Sequence, residues 1–163
     1  MRRIRWTAGA AAAGLALSLT WLAPAMSQPQ DHAFSVFDVN GPYEKVIDVG
    51  SAGFGAGDVI LQHHPLLDPG TAERVGTAVT KVTIVRNNAS GNAEFIIDCT
   101  LKLEAGQVVF YGASRFFRLV DGDVFPITGG SGAYDGAAGS LVMQFSEVDG
   151  QSGTRLDLEF VTP

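Results

Sequence analysis

A single cysteine, Cys99, is all the thiol in these 163 residues, so no intramolecular disulfide can form. Basic residues are also scarce: eleven Lys and Arg stand against seventeen Asp and Glu, with no basic cluster in the folded part of the chain. So acidic a chain is a poor ligand for nucleic acid, where phosphate neutralisation supplies most of the affinity. It is equally poor for anionic membrane surfaces. No Gly-Lys-Ser/Thr follows a glycine cluster and no serine sits in Gly-x-Ser-x-Gly. Their absence removes the phosphate loop and the nucleophile elbow of Ser-His-Asp hydrolases. There is no internal repeat, no second domain and no convincing helix after the amino-terminal segment.

One continuous apolar run is present, Ala8 to Leu22, after Arg2, Arg3 and Arg5 and before the small residues Ala23-Pro24-Ala25-Met26-Ser27. That order is a secretory signal peptide, and the run is shorter than the roughly 20 residues of a spanning helix. Cleavage after Ala25 or Ser27 would leave a secreted or periplasmic protein with no membrane segment. Arg2-Arg3 hints at a twin-arginine signal, although the flanking residues fit that pattern poorly. Loss of residues 1–27 removes three basic residues and no acidic one, leaving eight against seventeen, a net charge of −9. Residues 28–163 suit one domain with a sizeable core.

The mature chain reads as strands and turns. Phe34 to Asn40 is a first strand, followed by a long loop from Gly41 to Gly57 that holds Pro42 and four further glycines. Asp58 to His64 is a second strand, which Pro65-Leu66-Leu67-Asp68-Pro69-Gly70 is expected to break. Val75 to Arg86 is rich in β-branched residues. Asn87 to Asn92 is a polar turn, and its Asn88-Ala89-Ser90 is formally a glycosylation sequon. Phe95, Ile97, Cys99, Leu101 and Leu103 then form the apolar side of an alternating strand, which places Cys99 in the core, with nothing nearby to lower its pKa. Gln107 to Tyr111 returns, and Arg115 to Val124 is less regular. Leu156, Leu158 and Phe160 alternate with Arg155, Asp157 and Glu159 at the end. About eight closely spaced strands without a helix predict an all-β barrel or sandwich, and closing the barrel removes unpaired edges.

Between the last strands lies a segment, Pro126 to Phe145, with five glycines from Gly129 to Gly139. A phosphate-binding loop would need a helix directly afterwards. Leu141, Met143 and Phe145 alternate instead, and Gly130-Ser131-Gly132-Ala133-Tyr134-Asp135-Gly136 misses Gly-x-Gly-x-x-Gly by one residue. The segment therefore reads as a tight turn joining two strands.

Ile127-Thr128-Gly129-Gly130-Ser131-Gly132 with Tyr134-Asp135-Gly136-Ala137 and Gly139 resembles the late hairpin of the allene oxide cyclase and dirigent barrels. Gly57-Asp58-Val59, His63-His64-Pro65-Leu66 and Val75-Gly76-Thr77 are similar to the second strand and following turn of the dirigent group. Phe37-Asp38-Val39-Asn40 resembles the opening strand of an allene oxide cyclase. The likeness spans most of residues 34–145. It implies a single small eight-stranded antiparallel barrel, a homotrimer, and a cavity at one mouth that takes an apolar small molecule and needs no cofactor.

The candidate site residues are Asp38, Asn40 and His64. Asp38 and Asn40 are two apart on a strand and leave one face with Phe34 and Val36. Parity leaves open whether that face is the interior, where a carboxylate would be desolvated, or solvent. The resemblance implies the interior, because allene oxide cyclases place a carboxylate and an amide at these positions. His64 falls where they carry an asparagine that helps hold a water near the substrate epoxide, and a histidine there can donate a hydrogen bond or exchange a proton. A strand-end histidine facing water is the plain alternative. His63 and His64, being adjacent, point to opposite faces and cannot share one metal, and His32 lies in the leader before the first strand. Ile60, Val82 and Phe95 are expected to supply apolar wall.

The chain departs from the cyclases at Val82 and Ser114, where they carry a cysteine and a tyrosine, and has no counterpart of their Ser-Pro pair. Two functions follow: a cofactor-independent isomerase or cyclase of the allene oxide cyclase type, or a non-catalytic dirigent-like binding or structural barrel.

Overall fold

The computed structural model describes residues 28–41, 44–50, 53, 55–87 and 92–163. The expected signal peptide and the Asn88-Ala89-Ser90 sequon lie outside the described residues. Nine strands occur among them: β1 (Gln30–Val39), β2 (Glu44–Ile47), β3 (Val59–Leu67), β4 (Arg74–Arg86), β5 (Glu94–Leu103), β6 (Gly106–Arg115), β7 (Asp123–Gly132), β8 (Ala138–Val148) and β9 (Gln151–Thr162). One short 3-10 helix, Phe116–Val120, links β6 to β7.

Alternation dictates which face each strand buries. On β5, Phe95, Ile97, Cys99 and Leu101 are buried, and their register partners on β4 are Ile84, Val82, Thr80 and Ala78. Phe110 and Val108 on β6, Phe125 and Ile127 on β7, Leu141 and Met143 on β8 and Leu156, Leu158 and Phe160 on β9 complete one interior cluster. Each fully buried Leu, Ile or Phe contributes about 1.5–3 kcal/mol. This interior, rather than any local propensity, holds the strands in register.

The strands run in the order β1-β9-β8-β7-β6-β5-β4-β3, and β1 pairs again with β3 at Phe37↔Leu67 and Asp38↔Leu66. That second pairing closes an eight-stranded antiparallel barrel, the architecture the resemblance implied. β2 is an extra strand hung on β3, from Glu44↔Gln62 to Ile47↔Val59. Outside the seam a small second cluster forms, with Phe37, Val39 and Leu67 buried beside Val148.

Four local expectations change. Pro65 does not break its strand, because it falls between the part of β3 paired with β2, ending at Gln62, and the part paired with β1, starting at Leu66. A proline without an N–H is tolerated where one side of a strand has no ladder to complete. The loop from Gly41 to Gly57 contains β2, whose four residues are all exposed; an exposed strand carries no apolar alternation to reveal it. His32 lies within β1, stacked on Phe160 with ring centroids 4.8 Å apart, and not in a leader. The glycines of the late hairpin belong largely to β7, and the turn proper is 133–137.

Those glycines permit close backbone approach. A Cβ on Gly130 would lie 2.1 Å from the Tyr134 carbonyl oxygen, and Gly136 takes φ 70° in the turn. A strand and no helix follows, so no N–H groups are aimed at an anion.

Candidate functional site

The barrel seam positions the first site residue. Asp38 stands opposite Leu66 on β3 and opposite Thr154 on β9. Side chains two apart on a strand share a face, so His64 is the diagonal neighbour of Asp38 on the inner side. The two meet: His64 Nδ1 lies 3.1 Å from Asp38 Oδ1. His64 is 2% exposed and its Nε2 is buried without a hydrogen-bond partner. Gly41 leaves room for the ring, since a Cβ there would come within 3.2 Å of His64 Cδ2.

Above this pair is a cavity of about 280 Å³. Asp38, Asn40 and Thr154 line one side, and Thr80, Val82, Ile97 and Cys99 another. Phe95, Phe110, Phe116 and Phe145 supply aromatic wall, with Leu119 of the 3-10 helix and Met143 beside them. The anticipated wall residues Ile60, Val82 and Phe95 all reach it. Of the three anticipated site residues, Asp38 and Asn40 line the cavity, whereas His64 lies against Asp38 and is not part of the lining. A larger depression of about 820 Å³ at the opposite end opens broadly to solvent among Asp68, Glu73, Arg74, Lys102 and Glu104, and none of the anticipated residues lies there.

The sequence did not point to Glu44 and Gln62. Both line the same mouth, and Gln62 Nε2 donates to Glu44 Oε2 at 3.3 Å. Glu44 arrives on β2, and the loop after that strand is tied down by buried Asp58. The Val49 and Gly55 amides donate to its carboxylate at 2.8 and 2.7 Å, and those two bonds hold its pKa below the ordinary value. The available signal was Asp58 itself, an acid before a strand and after glycine.

Hydrogen bonding to Asp38 raises the His64 pKa above 6.5, against the opposing effect of burial. A group that holds its proton more tightly when folded stabilises the fold fully below its unfolded pKa, and loses that contribution as pH rises through the folded value. The difference in melting temperature between the parent and Asp38→Asn is therefore expected to be widest below the ordinary histidine pKa of about 6.5 and to narrow as pH rises above it. A gap that widens with pH would contradict the pairing.

Cys99 is a wall residue and not a nucleophile. Burial pushes its thiol up to about 12, and the Thr80 hydroxyl donates to its sulfur at 3.1 Å; a protonated thiol attacks poorly. Val82 is plain apolar wall. Ser114 is on the inner face opposite Phe95 but is not among the residues lining the cavity, and its hydroxyl donates to Asp123. His63 is exposed while His64 is buried, as alternation requires. Among the described residues no three His, Cys, Asp or Glu side chains could hold a metal ion, and no helix is long and apolar enough to cross a membrane.

A closed antiparallel barrel of eight strands with an acid-bearing cavity at one mouth defines a dirigent-like barrel in fold. The sequence matches no family description and no curated protein, but solved structures share its shape. A pterocarpan synthase dirigent protein, PsPTS1, superposes with TM-score 0.64 at 18% identity, covering 82% of this chain and 94% of its own. Pyocyanin demethylase gives TM-score 0.63 at 20% identity over 80% of this chain and 100% of its own. AbnU, an exo-specific intermolecular Diels-Alderase, gives 0.63 at 16% identity over 83% and 100%. At such identities the likeness is one of fold.

Proposed function

We propose that this chain is an exported barrel that encloses an apolar small molecule in the cavity beside Asp38 and promotes a cofactor-independent isomerisation or ring closure. The observation that carries the reading is the cavity itself: about 280 Å³ with mostly apolar lining residues and two carboxylates, of which Asp38 is held in place by a buried imidazole. Enclosure fixes the reactive conformer, which lowers the entropic part of the barrier. Asp38 faces the ligand and stabilises positive charge developing on it. His64 acts through Asp38, fixing its rotamer, while Asn40 is placed to hold a water or an oxygen of the ligand. An isomerisation conserves atoms and electrons, so none of these residues has to supply an oxidant or reductant. Structural neighbours bearing the names of a demethylase, a Diels-Alderase and a dirigent protein are consistent with small-molecule handling by this fold. Export and assembly as a trimer belong to the same proposal.

A second reading, a barrel that binds without turnover, is favoured by the departures noted above. Val82 offers only a methyl-bearing wall, and Ser114 is engaged with Asp123 outside the cavity.

Native mass spectrometry of the protein purified from its own host tests the shared part of both readings. The parent is expected to carry a small molecule, and Val82→Phe, which fills the cavity, is expected to lose it. A ligand that persists in the filled variant would place binding elsewhere.

A further inference from the structure

The residues lining the cavity carry two carboxylates, Asp38 and Glu44, and not one Lys or Arg. The basic side chains at the same end of the barrel are drawn off elsewhere. Arg86 and Arg115 approach Glu94 at 2.9 and 3.9 Å, and Arg118 approaches Asp123 at 3.9 Å. Lys45, next to Glu44 on β2, stands opposite exposed Leu61 and so takes the other face of the strand. His64 is the one imidazole facing this group of acids, and it is spent on Asp38. Even when His64 is protonated and neutralises Asp38, Glu44 leaves the mouth negative.

Four phenylalanine rings share the wall with these acids. The face of an aromatic ring carries partial negative charge and attracts cations, more strongly where water is excluded. A ring that presents its face to a ligand therefore acts in the same sense as the carboxylates. An anionic ligand would meet like charge that nothing in the wall compensates, and a neutral one would leave both attractions unused.

We propose that the ligand is an organic cation with an apolar body, such as a protonated amine or an iminium. This rests on the reading of the cavity as a ligand site and specifies its chemistry. Glu44, hydrogen-bonded to Gln62, selects for charge at the entrance, and the aromatic wall holds the body.

Three probes with one ring system separate the possibilities: 2-naphthylmethylamine, which is protonated at about pH 7, neutral 2-naphthylmethanol and anionic 2-naphthoate. Titration calorimetry on the mature chain is expected to rank the ammonium about tenfold tighter than the naphthoate and several-fold tighter than the alcohol. Glu44→Gln, at an exposed position that bears no core packing, should cut the preference for the ammonium over the alcohol to about twofold while leaving the affinity for the alcohol unchanged. If the alcohol binds as tightly as the ammonium, the cation inference is overturned and the apolar cavity stands. If none of the probes binds to protein with an intact melting transition, the ligand-site reading falls with it. A preference that survives Glu44→Gln unchanged removes Glu44 from the recognition.

Discussion

Gly153→Ala is expected to cost about 3 kcal/mol or more of stability, because no side chain fits where β9 passes the barrel seam. A Cβ at that position would lie 2.2 Å from the Asp38 carbonyl oxygen and 2.7 Å from Phe37 Cζ. Neither can yield cheaply. The first is backbone in a ladder that pairs β1 with both β9 and β3, and the second belongs to a fully buried ring. Relief requires parting β1 from β9 at Asp38, so the variant should also weaken the Asp38–His64 contact. Denaturant unfolding measures the loss, and the pH dependence of melting should flatten with it. A change within about 0.5 kcal/mol, the usual range of surface substitutions, would show that the seam is looser than described.

Asp38→Ala is expected to be destabilising by about 1–3 kcal/mol, although Asp38 itself is only half-buried. The loss comes from its partner. His64 already has a buried Nε2 with no hydrogen bond, and removing the carboxylate leaves Nδ1 in the same condition. The double replacement Asp38→Ala with His64→Phe removes both polar groups and should recover part of the loss, since apolar replacement of a complete pair is close to neutral. Thermal melts of the four proteins in the cycle decide the matter. If the double variant is as unstable as the sum of the singles, the two residues are not coupled.

The strands and their inner faces were legible because the interior strands obey period two, while closure into a barrel rather than a sandwich came from the resemblance. Phe95, Ile97, Cys99 and Leu101 on β5, and Leu156, Leu158 and Phe160 on β9, state which face is inside. The closing pair was not legible that way, since Phe37 is as buried as Val36 on the opposite face of β1. Both faces of β1 are covered at the seam, so parity gave two answers for Asp38, and only the resemblance chose between them. β2 was missed for the converse reason: all four of its residues are exposed, and a strand that buries nothing writes no pattern. With β2 went Glu44 and, through it, the role of Gln62. Pro65 misled because proline marks strand ends only where both edges need an N–H. The pairing of His64 with Asp38 required the register across the seam, which depends on which strand closes the barrel and not on either residue's neighbours.

The most direct test of the central claim, that Asp38 acts on a ligand enclosed by the barrel, is a comparison of turnover and binding in parent and Asp38→Ala with the ligand recovered from the host. The account predicts that kcat falls about a hundredfold or more, while Kd stays within about threefold because the apolar wall is intact. Equal turnover by the two proteins would contradict it.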